Sequence, residues 1–139
     1  MMCSIYETPF KKASRNRPRL RTKMKLKIRR RDDHLIVFIE GSIHLHNAEK
    51  LYQYIEELPL PESKILIINM KGCTQVDSAG IGALMRILQL MKSKEARFHI
   101  ARVPRGPRKI LEEAGLSDYL PLLSDEEYHL SFEESEGSL

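Results

Sequence analysis

The stretch Val76-Asp77-Ser78-Ala79-Gly80-Ile81-Gly82 lies where an extended apolar segment gives way to a long helical pattern. Asp77 and Ser78 are both common helix N-cap types, because a short side-chain oxygen accepts hydrogen bonds from the exposed N–H groups of the first turn. Gly80 and Gly82 each disfavour a helix by roughly 0.8–1.0 kcal/mol relative to alanine. Two glycines in a first turn therefore predict a close approach to this backbone, beside an accessible serine hydroxyl.

Strand patterns precede and follow this stretch. Residues 24–29 alternate between apolar and charged side chains, which is typical of an edge strand protected by lysines. Residues 35–39 are a continuous apolar run, which indicates a strand covered on both faces, and residues 64–70, which are mostly apolar, indicate a second buried strand. Residues 98–103 are predicted to form one more strand.

Helical spacings separate these strands. Asn47 can cap a helix that ends before two prolines, and apolar residues recur at helical spacing from Ile81 onward. A third helix opens at Gly106-Pro107, where we expect Ile110 to face inward. The order strand–strand–helix–strand–helix–strand–helix predicts an α/β fold with a four- to five-stranded mixed β-sheet and helices packed mainly on one face.

The two ends of the chain differ sharply in charge. Residues 1–31 carry twelve lysines and arginines against one acid, whereas residues 32–139 carry eleven basic and eighteen acidic residues. We expect residues 1–22 to form a disordered basic arm, because like charges repel one another. Such arms bind nucleic-acid phosphates, but no aromatic residues interleave the charges here. A solvated tail, or a true start at Met24, is therefore the favoured interpretation.

After the basic arm, we expect residues 23–123 to fold as one domain. We expect residues 124–139 to form an acidic tail, in which Tyr128, Leu130 and Phe132 alternate and could add a weak strand. Two cysteines are too few to indicate a disulfide framework. No run approaches the ~18 apolar residues of a membrane span, and no secretory signal is present. The sequence thus predicts a cytoplasmic protein that does not act at a membrane.

Catalysis is not predicted. Ser78 beside Asp77 would need a base in reach and a group to orient it, and nothing brings His44 or His99 there. The H-x-H spacing of His44 and His46 lacks the further ligands that a metal site requires. We therefore expect no enzyme activity, no cofactor and no bound metal.

Residues 77–82 follow a strand by a short turn, and their sequence Asp-Ser-Ala-Gly-Ile-Gly resembles the D-S-[ST/A]-G-[LI]-G signature of STAS domains, the anti-sigma factor antagonists. The resemblance extends from about residue 24 to residue 123. It includes the strand and turn of residues 35–43. It also includes residues 107–116, which resemble the family's proline-led helix ending in Gly-Leu.

This resemblance implies a non-enzymatic switch. In such proteins the serine after the aspartate, here Ser78, is phosphorylated by an anti-sigma factor that has serine kinase activity. The unphosphorylated form binds that anti-sigma factor and frees the sigma factor, and a phosphatase, of the PP2C type, resets the system. The resemblance implies that the partner is bound by Asp77, Ser78, Ala79, Gly80, Ile81, Gly82 and His44.

The chain departs from the family pattern at two positions. His44 stands where the family commonly has an acidic residue, so we expect altered kinase recognition or a pH-sensitive site. Ala79 replaces the usual second hydroxyl.

Two other functions remain open: a non-switching STAS scaffold subunit of a signalling or lipid-transport complex, and nucleic-acid binding through residues 11–31.

Overall fold

The computed structural model of the chain describes residues 4–9 and 24–133. Its five strands are β1 (Ser4–Pro9), β2 (Met24–Arg30), β3 (Leu35–Ile43), β4 (Ile65–Val76) and β5 (Arg97–Ala101). Its helices are α1 (Ala48–Glu56), α2 (Ser78–Ser93), α3 (Arg105–Glu113) and α4 (Asp125–Tyr128), followed by a π-helical turn, His129–Glu133.

The strands form one mixed sheet in the order β1-β2-β3-β4-β5. The pairs β1–β2 and β2–β3 are antiparallel, whereas β3–β4 and β4–β5 are parallel. Helix α1 connects β3 to β4 and α2 connects β4 to β5, as parallel neighbours require. The predicted fold class, a four- to five-stranded mixed sheet of the α/β type, is confirmed.

The main core lies between one face of the sheet and the helices. Alternate residues of the strands point to this face, and α1 and α2 contribute the apolar stripes that the spacing predicted. Helix α3 contributes Leu111 and ends at Gly115, whose φ of +74° is the left-handed conformation that favours glycine after a helix. The backbone N–H of Leu116 donates to the carbonyl oxygen of Leu111 at 2.9 Å, which closes this end of α3.

The prediction that residues 1–22 are disordered is wrong for Ser4–Pro9. These six residues pair antiparallel with β2. Their sequence contains Ile5, Tyr6 and Thr8, which are strand-forming types, and the outer edge of β2 offers unpaired backbone groups. Strand β2 is consequently an inner strand, not the predicted edge. The rest of the predicted arm lies outside the described residues, and the domain boundaries stay a prediction.

The prediction of an acidic tail is wrong for residues 124–133. Ser124 caps α4 with a reciprocal capping box: its hydroxyl accepts from the Glu127 N–H, and the Glu127 side chain accepts from the Ser124 N–H. The side chain of Tyr128 is fully buried on the second face of the sheet, against Ile36, Ile67 and Ala101. The predicted weak strand is therefore a helical segment that covers this face.

Strand β4 is longer than predicted, because residues 71–75 extend it toward α2 instead of forming a turn. Its pairing with β3 shifts register twice over this extension, between Phe38 and Glu40 and between Gly41 and Ser42. Such bulges bend a strand and re-aim its end. The extension brings the end of β4 beside the end of β3, and both strands therefore lead into the same edge of the sheet.

Candidate functional site

Three segments meet at the carboxyl ends of the parallel strands. They are the turn after β3, the junction of β4 with α2, and the first turns of α3. Together they surround an open groove of about 720 Å³. The groove is lined by Ser42, Ile43, His44, Leu45, His46, Thr74, Gln75, Val76, Asp77, Gly106, Pro107 and Ile110.

Asp77 is the N-cap of α2 and also joins two of these segments. Its Oδ1 accepts a hydrogen bond from the Gly80 N–H at 2.9 Å, the contact that a capping aspartate makes. Its Oδ2 accepts from the Leu45 N–H at 3.1 Å, and its own N–H donates to the Ile43 carbonyl oxygen at 3.2 Å. One side chain therefore fixes the start of α2 relative to the turn after β3.

Ser78 is the first residue of α2, and it is exposed. Helix α2 is 16 residues long, so its N-terminus carries the full positive end of a helix dipole. Both carboxylate oxygens of Asp77 are already engaged by backbone N–H groups. The hydroxyl of Ser78 is thus presented to the solvent at a position that favours negative charge.

The two glycines of this turn lie in different surroundings. A Cβ on Gly80 would come within 2.8 Å of the Ile43 carbonyl oxygen and 3.0 Å of Ile43 Cγ2. A Cβ on Gly82 would meet nothing within 4 Å. The close approach predicted from the sequence is therefore intramolecular at Gly80, whereas Gly82 leaves open space. Ala79, which precedes Gly80, and Ile81, which lies between the two glycines, are half-buried and pack against the main core.

The turn after β3 is organised by Asn47. Its Oδ1 accepts from the His44 N–H at 2.9 Å and its Nδ2 donates to the Ser42 carbonyl oxygen at 3.0 Å. Asn47 occupies the predicted N-cap position of α1, but its side chain holds the preceding turn instead of capping the helix. His44 is half-buried there, and its Nδ1 accepts from the His46 N–H at 3.2 Å.

Two apolar side chains at this groove were missed from the sequence. Leu45 is 69% exposed on the turn after β3, and Ile110 is 39% exposed on α3. The prediction that Ile110 faces inward is wrong, because the buried face of α3 is formed by Pro107 and Leu111, four residues apart, and Ile110 lies to one side of it. The position of Leu45 between two histidines was the available signal.

Two further potentially reactive side chains, Cys73 and His99, do not line the groove. Burial raises the pKa of the Cys73 thiol to about 11, so this thiol stays protonated at neutral pH. His99 lies on β5, away from the groove lining, and burial lowers its pKa. Across the described residues, no group of three or more His, Cys, Asp or Glu side chains could hold a metal ion.

Comparison with known proteins identifies the class to which this fold and site belong. The family model described as "STAS domain" matches residues 25–129. The chain is 24% identical, over 98 residues, to the "Anti-sigma-B factor antagonist" of Listeria monocytogenes. This alignment covers 70% of this chain and 86% of that protein. A relative with the same name in Listeria innocua gives the same figures.

Solved structures share the fold. "Structure of the Anti-Sigma Factor Antagonist SpoIIAA in its Unphosphorylated Form" has a TM-score of 0.62 at 15% identity, covering 81% of this chain and 94% of that one. An anti-sigma factor antagonist from Mycobacterium paratuberculosis has a TM-score of 0.57 at 19% identity, covering 83% and 92%. The chain belongs to the STAS domain family. It is accordingly a non-enzymatic regulatory protein, as the sequence predicted.

The structure brings the predicted site residues together at one edge of the sheet. His44 and Asp77 line the same groove, and Ser78 is adjacent to Asp77 in the chain. Their roles in binding or modification stay predictions.

Within the described residues, no helix is both long and apolar enough to span a membrane.

Proposed function

We propose that this protein is an anti-sigma factor antagonist that regulates transcription by partner switching. The unphosphorylated form binds an anti-sigma factor with serine kinase activity, and the sigma factor is thereby released. Phosphorylation of Ser78 breaks this complex, and a PP2C-type phosphatase restores it. The exchange takes place in the cytoplasm, where sigma factors act.

The observation that carries this proposal is the placement of Ser78. Its side chain is exposed at the first position of α2, while Asp77 fixes the backbone beneath it through bonds to Gly80 and Leu45. A kinase can reach this hydroxyl without unfolding the turn. The names of the relatives, which are anti-sigma factor antagonists, support the same assignment.

A phosphate on Ser78 is compatible with the fold. It adds about −1.5 to −2 charges at a helix N-terminus, where the macrodipole stabilises an anion by roughly 0.3–1 kcal/mol. Asp77 repels it, so the two effects oppose each other. Neither disturbs the core, because Ser78 contributes no buried side chain.

The same phosphate is incompatible with a partner surface formed around a neutral hydroxyl. A charge buried there without a partner weakens binding by roughly 2–5 kcal/mol. That free energy corresponds to about thirtyfold to several-thousandfold lower affinity. The fold therefore persists in both states, while the complex forms in only one of them.

Mass spectrometry after incubation with ATP, Mg²⁺ and the kinase anti-sigma factors of the same genome tests the modification. We expect one phosphate on Ser78, none on a Ser78→Ala variant, and normal modification of Ser93→Ala, a matched serine at the other end of α2. Absence of phosphate on Ser78 would leave the protein as a non-switching scaffold subunit.

Binding measurements test the switch itself. We expect Ser78→Asp to lower the affinity for the kinase anti-sigma factor at least about thirtyfold while the melting temperature changes little. Equal retention of wild type and Ser78→Asp would contradict partner switching and favour a constitutive assembly.

A further inference from the structure

The groove beside Ser78 has features that the phosphorylation site does not explain. Four large apolar side chains are exposed in the described part of the chain: Leu45, Ile110, Tyr119 and Leu130. Two of these, Leu45 and Ile110, line the groove, one from the turn after β3 and one from α3. Two apolar side chains exposed at the same concave site indicate a contact surface.

The base of the groove is rigid and apolar. Ile43 and Val76 are buried ends of adjacent parallel strands, and Pro107 is buried in the first turn of α3. The turn that carries Leu45 is held by the Asp77 and Asn47 side chains. A partner therefore meets a preformed cavity, so little ordering of this chain is needed on binding.

Cations flank the apolar wall on α3. Residues four apart share a helix face, so Gly106 and Ile110 form the row that lines the groove. Arg105 and Lys109 form the adjacent row, and both are exposed. Residues 105–110, the part of α3 that borders the groove, carry three cations and no acid, and the acids Glu112 and Glu113 follow only in its last turn. The one carboxylate that lines the groove, on Asp77, already accepts two backbone hydrogen bonds. The flank is therefore positive, and it complements an acidic segment.

We infer that this groove binds an amphipathic segment of the anti-sigma factor, with an apolar side chain between Leu45 and Ile110 and carboxylates facing Arg105 and Lys109. The inference rests on the proposed function and deepens it. It extends the partner surface from the Ser78 turn to α3. Leu45 and Ile110 are then anchors of binding, and the two cations steer association.

Affinity measurements with the purified kinase anti-sigma factors of the same genome test the anchors. We expect Leu45→Ala and Ile110→Ala each to weaken binding about tenfold, as truncation of a buried anchor does. Leu130→Ala is the matched control, because Leu130 is 58% exposed on the C-terminal segment, and its affinity should stay within about twofold. All three side chains are exposed, so melting temperatures should not change.

Association kinetics test the cations. The double variant Arg105→Gln/Lys109→Gln should associate about tenfold more slowly at low salt and should lose most of the salt dependence of the rate. A rate with unchanged salt dependence would overturn the assignment of an acidic partner segment.

The outcomes separate this inference from the proposed function. If Leu45→Ala and Ile110→Ala bind as wild type while Ser78→Asp still fails to bind, the groove is not part of the interface and the switch stands. If Ser78→Asp also binds as wild type, the proposed function itself fails. If the anchor variants change only self-association, measured by analytical ultracentrifugation, a second copy fills the groove and the inference is wrong.

Discussion

Gly80 has no side chain because the backbone of Ile43 occupies the place where a Cβ would lie. The clash would be with a carbonyl oxygen at 2.8 Å, and a backbone atom of a buried strand cannot swing away as a flexible side chain can. This contact sets the distance between α2 and the end of β3. The groove keeps its shape partly through that one missing methyl group.

Exchanging each glycine for alanine tests this account. Gly80→Ala should lower the free energy of unfolding by about 1–3 kcal/mol, because the added methyl forces β3 and α2 apart. Gly82→Ala is the matched control in the same helix, and it should raise stability by up to about 1 kcal/mol through helix propensity alone. Urea denaturation measures both. Equal effects of the two variants would contradict the role assigned to Gly80.

Among the elements, the segment of α4 and the π-helical turn decides whether the second face of the sheet is covered. Tyr128 is its anchor: the ring is fully buried, and the hydroxyl accepts a hydrogen bond from Asn69 Nδ2 at 2.9 Å. Arg102 of the loop after β5 lies with its guanidinium 5.3 Å from the Tyr128 ring and 3.6 Å from the Asp125 carboxylate. The segment is therefore tied to two neighbouring parts of the sheet.

Removing the tyrosine hydroxyl measures the contribution of this polar contact. Tyr128→Phe should lower the free energy of unfolding by about 1–3 kcal/mol, because Asn69 is buried and its amide would lose an acceptor. Leu130→Ala, on the exposed side of the same segment, should change stability by less than about 0.5 kcal/mol. Chemical denaturation followed by circular dichroism gives both values. A Tyr128→Phe protein as stable as wild type would show that the hydrogen bond contributes nothing.

The elements differ in how well the sequence predicts them. Mostly apolar runs identified β3 and β4, and helical spacing identified α1 and α2, because local pattern and burial agree there. At the C-terminus, Tyr128, Leu130 and Phe132 alternate as in a strand, but the capping box of Ser124 and Glu127 determines a helix. That S-x-x-E signal is present in the sequence. Strand β1, by contrast, forms by pairing with the edge of β2, and this contact between segments distant in the sequence has no local signature.

The site was predictable to a similar extent. Residue type indicated that Asp77 or Ser78 is the N-cap and that the Ser78 hydroxyl is accessible, and the structure assigns the cap to Asp77. The second bond of Asp77, to the Leu45 N–H, depends on two strand ends lying side by side and has no local signature. The exposure of Ile110 depends on how α3 docks on the sheet, because the pair Pro107 and Leu111 faces the core and Ile110 lies about 100° around the helix from Leu111.

For the molecule as a whole, two histidines on the second face of the sheet make stability depend on pH. His34 is 3% exposed, and burial lowers its pKa, although a contact of its Nδ1 with the Asp33 carboxylate at 2.8 Å acts in the opposite direction. The rings of His34 and His99 both lie near the ring of Phe132. His99 is half-buried, and its pKa is lowered first by burial and then by the positive charge of Arg97. Both imidazoles are thus easier to protonate in the unfolded chain.

The sign of the pH effect follows from this difference. At about pH 7.5 and above, a unit over the ordinary histidine pKa, neither state binds the protons to an appreciable extent, and stability is at its full value. As the pH falls below about 6.5 the unfolded state takes up protons first, so the free energy of unfolding declines, by at most about 1.4 kcal/mol per pH unit for each histidine. The decline ends once the folded protein is protonated as well.

Urea denaturation between about pH 8 and pH 5 tests this expectation. His34→Gln should reduce the slope of the free energy of unfolding against pH below about pH 6.5, whatever the effect of the substitution on absolute stability. A wild-type stability that is flat across this range would contradict the assignment.

The direction of α2 has a practical consequence for experiments on this protein. Ser78 begins the helix at the carboxyl ends of the parallel strands, and Ser93 ends it at the opposite edge of the sheet. At about 1.5 Å per residue, the two lie roughly 22 Å apart. With Cys3 replaced and the Cys73 thiol buried, a Ser93→Cys substitution would accept a fluorophore or surface linker selectively. A reporter attached there can follow partner exchange without touching the surface on which it occurs.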